Sequence, residues 1–255
     1  MAAKFDFRGF VFPVGLLLLA EVAMRASGSQ SDSVAPPSDI LIAGAQAIAD
    51  GSMLVRTYQT LAASMLGLAI GFSMGLLVGI LLGLFKVLDH MLEVTIEIIR
   101  PVPSVALIPI GLLVFGFGYR MEYWIIAFAT FWPTLILSRA AIAGVEPRLF
   151  EVARALQLSL PTKIFKIAIP AALPRIFVAL RLCVGIALIV AVTVEITANT
   201  IGVGHSMMEA ATSLRPALML AYLAWIGILG WAVNGAMVLA QTHLFGRAAN
   251  VGDMQ

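Results

Sequence analysis

Residues 151–170 read EVARALQLSLPTKIFKIAIP, a charged, amphipathic segment between two runs apolar enough for lipid. The rest of the chain sets the class. It has 255 residues, of which 61% are hydrophobic and 12% charged, with a mean hydropathy of +1.00. A soluble domain carries about 25% charged residues and about 45–50% apolar ones. Too little charge is present to cover a surface in water, so the bilayer is the expected solvent. The net charge of +2 gives no reason to expect a nucleic-acid partner. The one cysteine, Cys183, lies in an apolar run and reads as a small packed hydrophobe, and no disulfide within the chain is available to it.

A helix needs about 20 apolar residues to cross the hydrocarbon core. Six runs qualify as candidates: residues 10–24, 57–85, 94–117, 124–143, 171–198 and 216–239. The expectation is an all-α integral membrane protein of about six spans. The first run contains Glu21, and a cleavable leader is an alternative reading of it. A polar loop, SGSQSDSVAPPSD, follows; then ILIAGAQAIADG predicts a short helix along the membrane surface.

Charge sets the orientation. With both termini inside, Lys4, Arg8, Lys86, Arg139, Arg148, Arg154, Lys163, Lys166, Arg175 and Arg247 face the cytoplasm. Arg25, Arg56, Arg120 and Arg215 face out, and every lysine is on the inner side. This is the asymmetry of the positive-inside rule.

The second run, GLAIGFSMGLLVGILLG, repeats glycine at 67, 71, 75, 79 and 83. Residues four apart share a helix face, so the glycines make a smooth stripe that another helix can approach closely. Packing within the subunit and packing between subunits both fit that stripe.

The middle loop predicts two short helices. In VEPRLFEVARALQL, Leu149, Val152, Ala153 and Leu156 form one apolar face. Arg148, Glu151 and Arg154 stand three apart on another face, where they can pair. Pro147 suits a first helical turn, and Ser159 is placed to cap a second helix that ends near Pro170. Lysines against lipid headgroups are one use for such a segment, and a knob inserted into a soluble partner is the other.

EVA, three residues, Gln157, nine residues and IAIP together resemble the cytoplasmic EAA loop of binding-protein-dependent ABC importer permeases. Glu151, Ala153, Ile167 and Pro170 match in register, Val152 and Ile169 replace Ala and Leu, and Gln157 replaces a glycine. APPSDIL, RPVPSVALIPI, FGFG and GVGHSMMEAATSLRPALMLAYLAWIGILG resemble the nitrate/sulfonate/taurine subgroup of type I importers. The resemblance implies one permease domain over 1–255. It would hold a first helix over 10–25, a periplasmic loop and surface helix over 26–55, and a five-helix core over 56–243 with a coupling loop over 144–169.

It also implies partners: two ABC ATPase subunits, a second permease copy in a homodimer, a periplasmic substrate-binding protein and the lipid of the bacterial inner membrane. ATP and Mg would sit on the ATPases, not on this chain, since no GxxxxGK[ST] pattern occurs in it. Coupling would fall to Glu146, Arg148, Leu149 and Glu151, continuing through Val152, Ala153, Arg154, Leu156 and Gln157.

No HExxH or CxxC pattern is present, and neither a catalytic set nor a metal site is expected. The translocation-path candidates are Glu97, Arg100, Pro103, Ser104 and Glu195. Intramembrane charge is costly and often functional, although Glu97 and Arg100 are also spaced for a helical ion pair and Glu195 also fits an outer-interface position. Pro101, Pro103 and Pro109 predict a broken helix, tolerated where it is packed in protein or lines water. Gly202, Gly204 and His205 mark an outer turn, followed by a short helix over 206–214 suited to the binding protein. A standalone carrier or channel is the alternative function; such carriers are often built from repeats, and none is found here.

Overall fold

Glycine at every fourth position of α3 (Ser52–Leu84) brings it against α6 (Tyr119–Ala143) backbone to backbone. The chain is described by a computed structural model over residues 8–27 and 33–245. A Cβ on Gly67, Gly75, Gly79 or Gly83 would stand 2.6–2.9 Å from the carbonyl oxygen of Tyr123, Phe131, Leu135 or Arg139 respectively, and Gly71 meets the Ala127 carbonyl in the same way. The partners on α6 also recur every fourth residue, so two ridges run in one constant register. Of the two uses open to the glycine stripe, the fold takes packing within the subunit. Close backbone approach gives the dispersion contact that lipid cannot replace.

The register shows that α3 and α6 run parallel. The chain between them must therefore cross back, and it does so as a broken pair. Helix α4 (Lys86–Ile99) and the segment Ser104–Phe115, whose α-helical part is α5 (Ile108–Phe115), meet at a bend of 78°. Pro101 and Pro103 occupy the break, where each lacks the N–H that a continuous helix would need. The expected third span is thus two pieces.

α9 (Ile169–Thr197) closes the core by lying against α3 and α6. Met121, Ile126, Cys183, Ala187, Ala191 and Val194 are fully buried in that layer. Buried hydroxyls of α6 bond to their own helix: Thr130 Oγ1 to Ile126 O at 2.9 Å and Thr134 Oγ1 to Thr130 O at 2.7 Å. In lipid these groups have no water to turn to, so an internal acceptor is required.

The outer helices complete the fold. α1 (Arg8–Ser27) is tied to α2 (Pro37–Ala49) through Glu21, which accepts from Ser38 N at 3.0 Å and Ser38 Oγ at 2.8 Å. α2 packs with α10 (Gly202–Thr212) and α11 (Pro216–Phe245) around Ala47, Met53, Val203, Ala221 and Tyr222. By length and composition, 4 helices of the described residues can cross a membrane, or 5 with the bent pair. Lys4 and Arg247 of the orientation argument lie outside the described residues.

The middle loop departs from its expected form. α7 (Pro147–Ala155) is the first short helix, but α8 (Leu160–Lys163) does not end near Pro170. It continues through a π-helical turn, Ile164–Ala168, straight into α9. Pro170 has no N–H to give to the preceding turn, and a widened turn removes the need for that bond. Ser159 makes no capping bond; its hydroxyl pairs with Thr162 Oγ1 at 2.8 Å.

Candidate functional site

The first site is α7, at the end of the bundle where α6 finishes and α9 begins. Ala153 is fully buried, and Phe150 packs on the cluster of Ala141, Ile142, Val145, Ala168, Ala172 and Ile176. A small residue at 153 lets the helix lie close to the body. Leu149, Val152 and Leu156 turn the other way, 40%, 55% and 66% exposed. The single apolar face read from sequence is therefore split, with Ala153 holding the helix down and three large side chains left bare. Glu146, Arg148, Glu151, Arg154 and Gln157 surround them, all exposed.

The pairing expected among Arg148, Glu151 and Arg154 does not form. Arg148 Nε stands 3.9 Å from Glu146 Oε1, and Glu151 has no ion pair among the described residues. Exposed pairs of this spacing contribute only about 0.2–0.5 kcal/mol, too little to hold two long side chains.

Gln157 ends α7 in the left-handed region, with φ 50. Its N–H reaches Arg154 O at 2.9 Å, and Leu158 N reaches Ala153 O at 3.0 Å. These bonds satisfy carbonyls that the helix end would leave open. The bend that glycine makes in the resembling loop is thus made here by glutamine.

Beside α7 a cleft of about 590 Å³ is lined by residues including Lys86, Asp89, His90, Arg139 and Arg154. Arg139 clamps α4 to α6 across it, with Nε 2.6 Å from Asp89 Oδ1 and Nη2 3.6 Å from Glu93 Oε1.

The second site is a cleft of about 390 Å³ where the α4–α5 break meets α6 and α9. Arg100 and Ser104 line it, facing a wall that includes Phe128, Trp132, Leu182 and Ile186. Arg100 is exposed, and no ion pair joins it to Glu97 among the described residues, so the helical pair expected at this spacing is absent. Pro103, exposed, sits in the break itself, and Glu97 is exposed on α4. The structure brings Arg100 and Ser104 together but leaves Glu195 elsewhere.

Glu195 is 1% exposed at the opposite end of the bundle from α7. Its Oε1 accepts from Thr60 Oγ1 at 2.6 Å and its Oε2 from Gly204 N at 2.8 Å. It holds α3, α9 and α10 together inside the subunit. Gly202 and Gly204 are buried there too: Gly202 has φ 92, and its N–H reaches Gln59 Oε1 at 3.0 Å. His205 is half-buried, and the exposed residues of α10 include Met208, Glu209 and Thr212. Sequence reasoning missed Glu122, which is fully buried on α6 and receives Asn199 Nδ2 at 2.6 Å. An acid at the start of an apolar run reads as an interface residue, and only packing reveals that it is enclosed.

A helical bundle with a broken apolar pair and several helices long and apolar enough to cross a bilayer is a multi-pass membrane protein. The chain belongs to the family described as the binding-protein-dependent transport system inner membrane component, matched over residues 59–250. It is 31% identical over 204 residues to a Bacillus subtilis protein named for aliphatic sulfonates transport, covering 80% of this chain and 74% of that one. The taurine transport system permease protein of Escherichia coli is 29% identical over 214 residues, 82% of this chain and 78% of that one. The fold is similar to that of the MetNI methionine ABC transporter in an inward-facing conformation, with TM-score 0.67 and 20% identity over 78% of this chain and 96% of that one. The chain is a transmembrane permease subunit of an ABC importer.

Proposed function

We propose that two copies of this chain enclose a path for a small anionic or organic solute, handed over by a periplasmic binding protein. Both termini then lie in the cytoplasm, and α7 docks on one of two separate ATPase subunits that hold ATP and Mg. The chain acts as one permease domain with its core over 56–243. ATP hydrolysis belongs to the partner, and this chain carries the motion into the membrane.

The bare face of α7 carries the reading. Leu149, Val152 and Leu156 stand out from a short helix ringed by charge, while Ala153 and Phe150 anchor it to α6 and α9. An apolar anchor inside a polar rim is what a protein pocket receives. Arg100, which has no ion pair among the described residues, supports an anionic solute in the cleft, because a cation within the membrane is costly without a partner. The relatives are named for sulfonates, taurine and nitrate, which suits that charge.

The test is uptake of labelled taurine, an alkanesulfonate and nitrate by cells that express the chain with or without its ATPase and binding protein. ATP-dependent uptake that needs all three components is expected. Uptake by the chain alone would establish the standalone carrier instead.

A further inference from the structure

Two carboxyls are buried at the end of the bundle opposite α7. Glu122 of α6 is 0% exposed and Glu195 of α9 is 1% exposed. Asn199, four residues beyond Glu195, donates Nδ2 to Glu122 Oε2 at 2.6 Å, which brings the two carboxyls to the same enclosed end of the bundle. Two ionised carboxylates gathered there, away from water, would repel strongly.

The donors around the pair are unevenly shared. Both oxygens of Glu195 already accept, from Thr60 Oγ1 and from Gly204 N. Glu122 Oε2 accepts from Asn199 Nδ2. Glu122 Oε1 is buried, and no donor among the described residues reaches it. Asn199 is fixed in that orientation, since its Oδ1 takes the N–H of Gly118 and of Thr200, each at 2.9 Å. A buried carboxyl oxygen with no donor, near a second carboxyl whose oxygens each take one donor and keep a free lone pair, is where a proton completes the network.

We propose that Glu122 and Glu195 form a proton-binding site, with the proton on Glu122 Oε1 and donated to Glu195. In that state every polar atom of the pair has a partner. The proton then ties α6 to α9, and through Thr60 and Gly204 to α3 and α10. The titratable residues nearest in sequence are Arg56, one turn before Thr60 on α3, and Tyr119, three residues before Glu122 on α6. The titratable residues of α10 are His205 and Glu209. α5 carries no titratable residue.

The site goes beyond the permease reading, since it assigns a ligand, one proton, to groups that neither couple to the ATPase nor line the Arg100 cleft. It tests by asymmetry. Glu122→Gln keeps the network: the amide N–H replaces the acid O–H, and the amide oxygen still accepts from Asn199. Glu195→Gln removes the charged acceptor: its N–H₂ must face Thr60, whose hydroxyl then turns to Arg56 O at the longer 3.2 Å, and Gly204 N keeps only an uncharged oxygen.

Infrared spectra of the wild-type complex in lipid at neutral pH are expected to contain a protonated-carboxyl C=O band that Glu122→Gln removes. Thermal stability of the wild type should fall as pH rises. The folded chain holds a proton that the unfolded chain releases at neutral pH, so stability is present at low pH and lost at high pH. Glu122→Gln should flatten that dependence, and Glu195→Gln should lower stability at every pH. A wild-type spectrum without the band would overturn the site. A band that survives Glu122→Gln unchanged, or a Glu195→Gln variant as stable as the wild type, would overturn the assignment of the proton to Glu122. All of these read the carboxyl pair and not transport, so they leave the permease reading to its own uptake test.

Discussion

Gly75 in α3 lies so close to Phe131 in α6 that a Cβ on the glycine would stand 2.6 Å from the Phe131 carbonyl oxygen. The same relation recurs along the stripe, so α3 and α6 behave as one rigid unit. Overpacking a site of this kind costs about 1–3 kcal/mol. Gly75→Ala should lower the melting temperature of the purified permease, and Gly75→Leu should prevent stable accumulation in the membrane. A Leu variant with wild-type stability would show that the two helices separate freely.

Glu151 stands exposed, and without an ion pair among the described residues, beside the bare apolar stripe of α7. Reversing its charge changes what a partner meets and disturbs nothing inside the subunit. Glu151→Lys is expected to abolish uptake and weaken ATPase co-purification while leaving membrane insertion intact. Normal uptake in this variant would remove α7 from the coupling role.

Gln157 holds a backbone conformation that costs a side-chain-bearing residue roughly 1–2 kcal/mol relative to the right-handed helix, a cost glycine does not carry. Gln157→Gly should therefore hold the bend with equal or greater thermal stability and keep transport. Gln157→Val, branched at Cβ, should lose stability by about 1 kcal/mol or more. Thermal unfolding of the two variants side by side checks the sign.

Arg100 faces an apolar, aromatic wall, and no carboxylate among the described residues lines that cleft. A hydrogen bond to a charged group contributes about 1.5–3 kcal/mol, which is roughly 10- to 100-fold in affinity. Arg100→Gln should reduce anion uptake by about that factor, and Arg100→Lys should keep part of it, because charge is retained and the planar fork is lost. Equal uptake by all three forms would place the solute elsewhere.

Arg139 joins α4 to α6 through Asp89, and that pair borders the cleft beside α7. Asp89→Arg alone should impair uptake, and combining it with Arg139→Asp should restore part of it. Failure of the double variant to recover would mean the two charges act independently.

Much of this was legible along the chain. The membrane class followed from missing charge, the α3 stripe from a four-residue glycine repeat, and the break near Pro101 and Pro103 from absent N–H donors. The register of EVA, Gln157 and IAIP pointed to the family and to the short helix α7. These are local or periodic properties, set by a residue and its neighbours one turn away.

Side-chain neighbours from distant helices were not legible. Glu195 reads equally as a path residue or an outer-interface residue until Thr60 and Gly204 are seen bonded to it. Likewise Ala153 belongs to the apolar face of α7 by spacing, yet it is the point where α7 rests on the body.

By itself the sequence determined that this chain is a helical bundle in lipid with one charged loop, because solvent preference and helix period are carried by each segment alone. Only the tertiary structure decided which charges are enclosed and which are bare, since that depends on what three or four helices bring to the same few ångströms. Glu122 and Glu195 acquire their meaning from each other, across a separation in sequence that no local pattern spans.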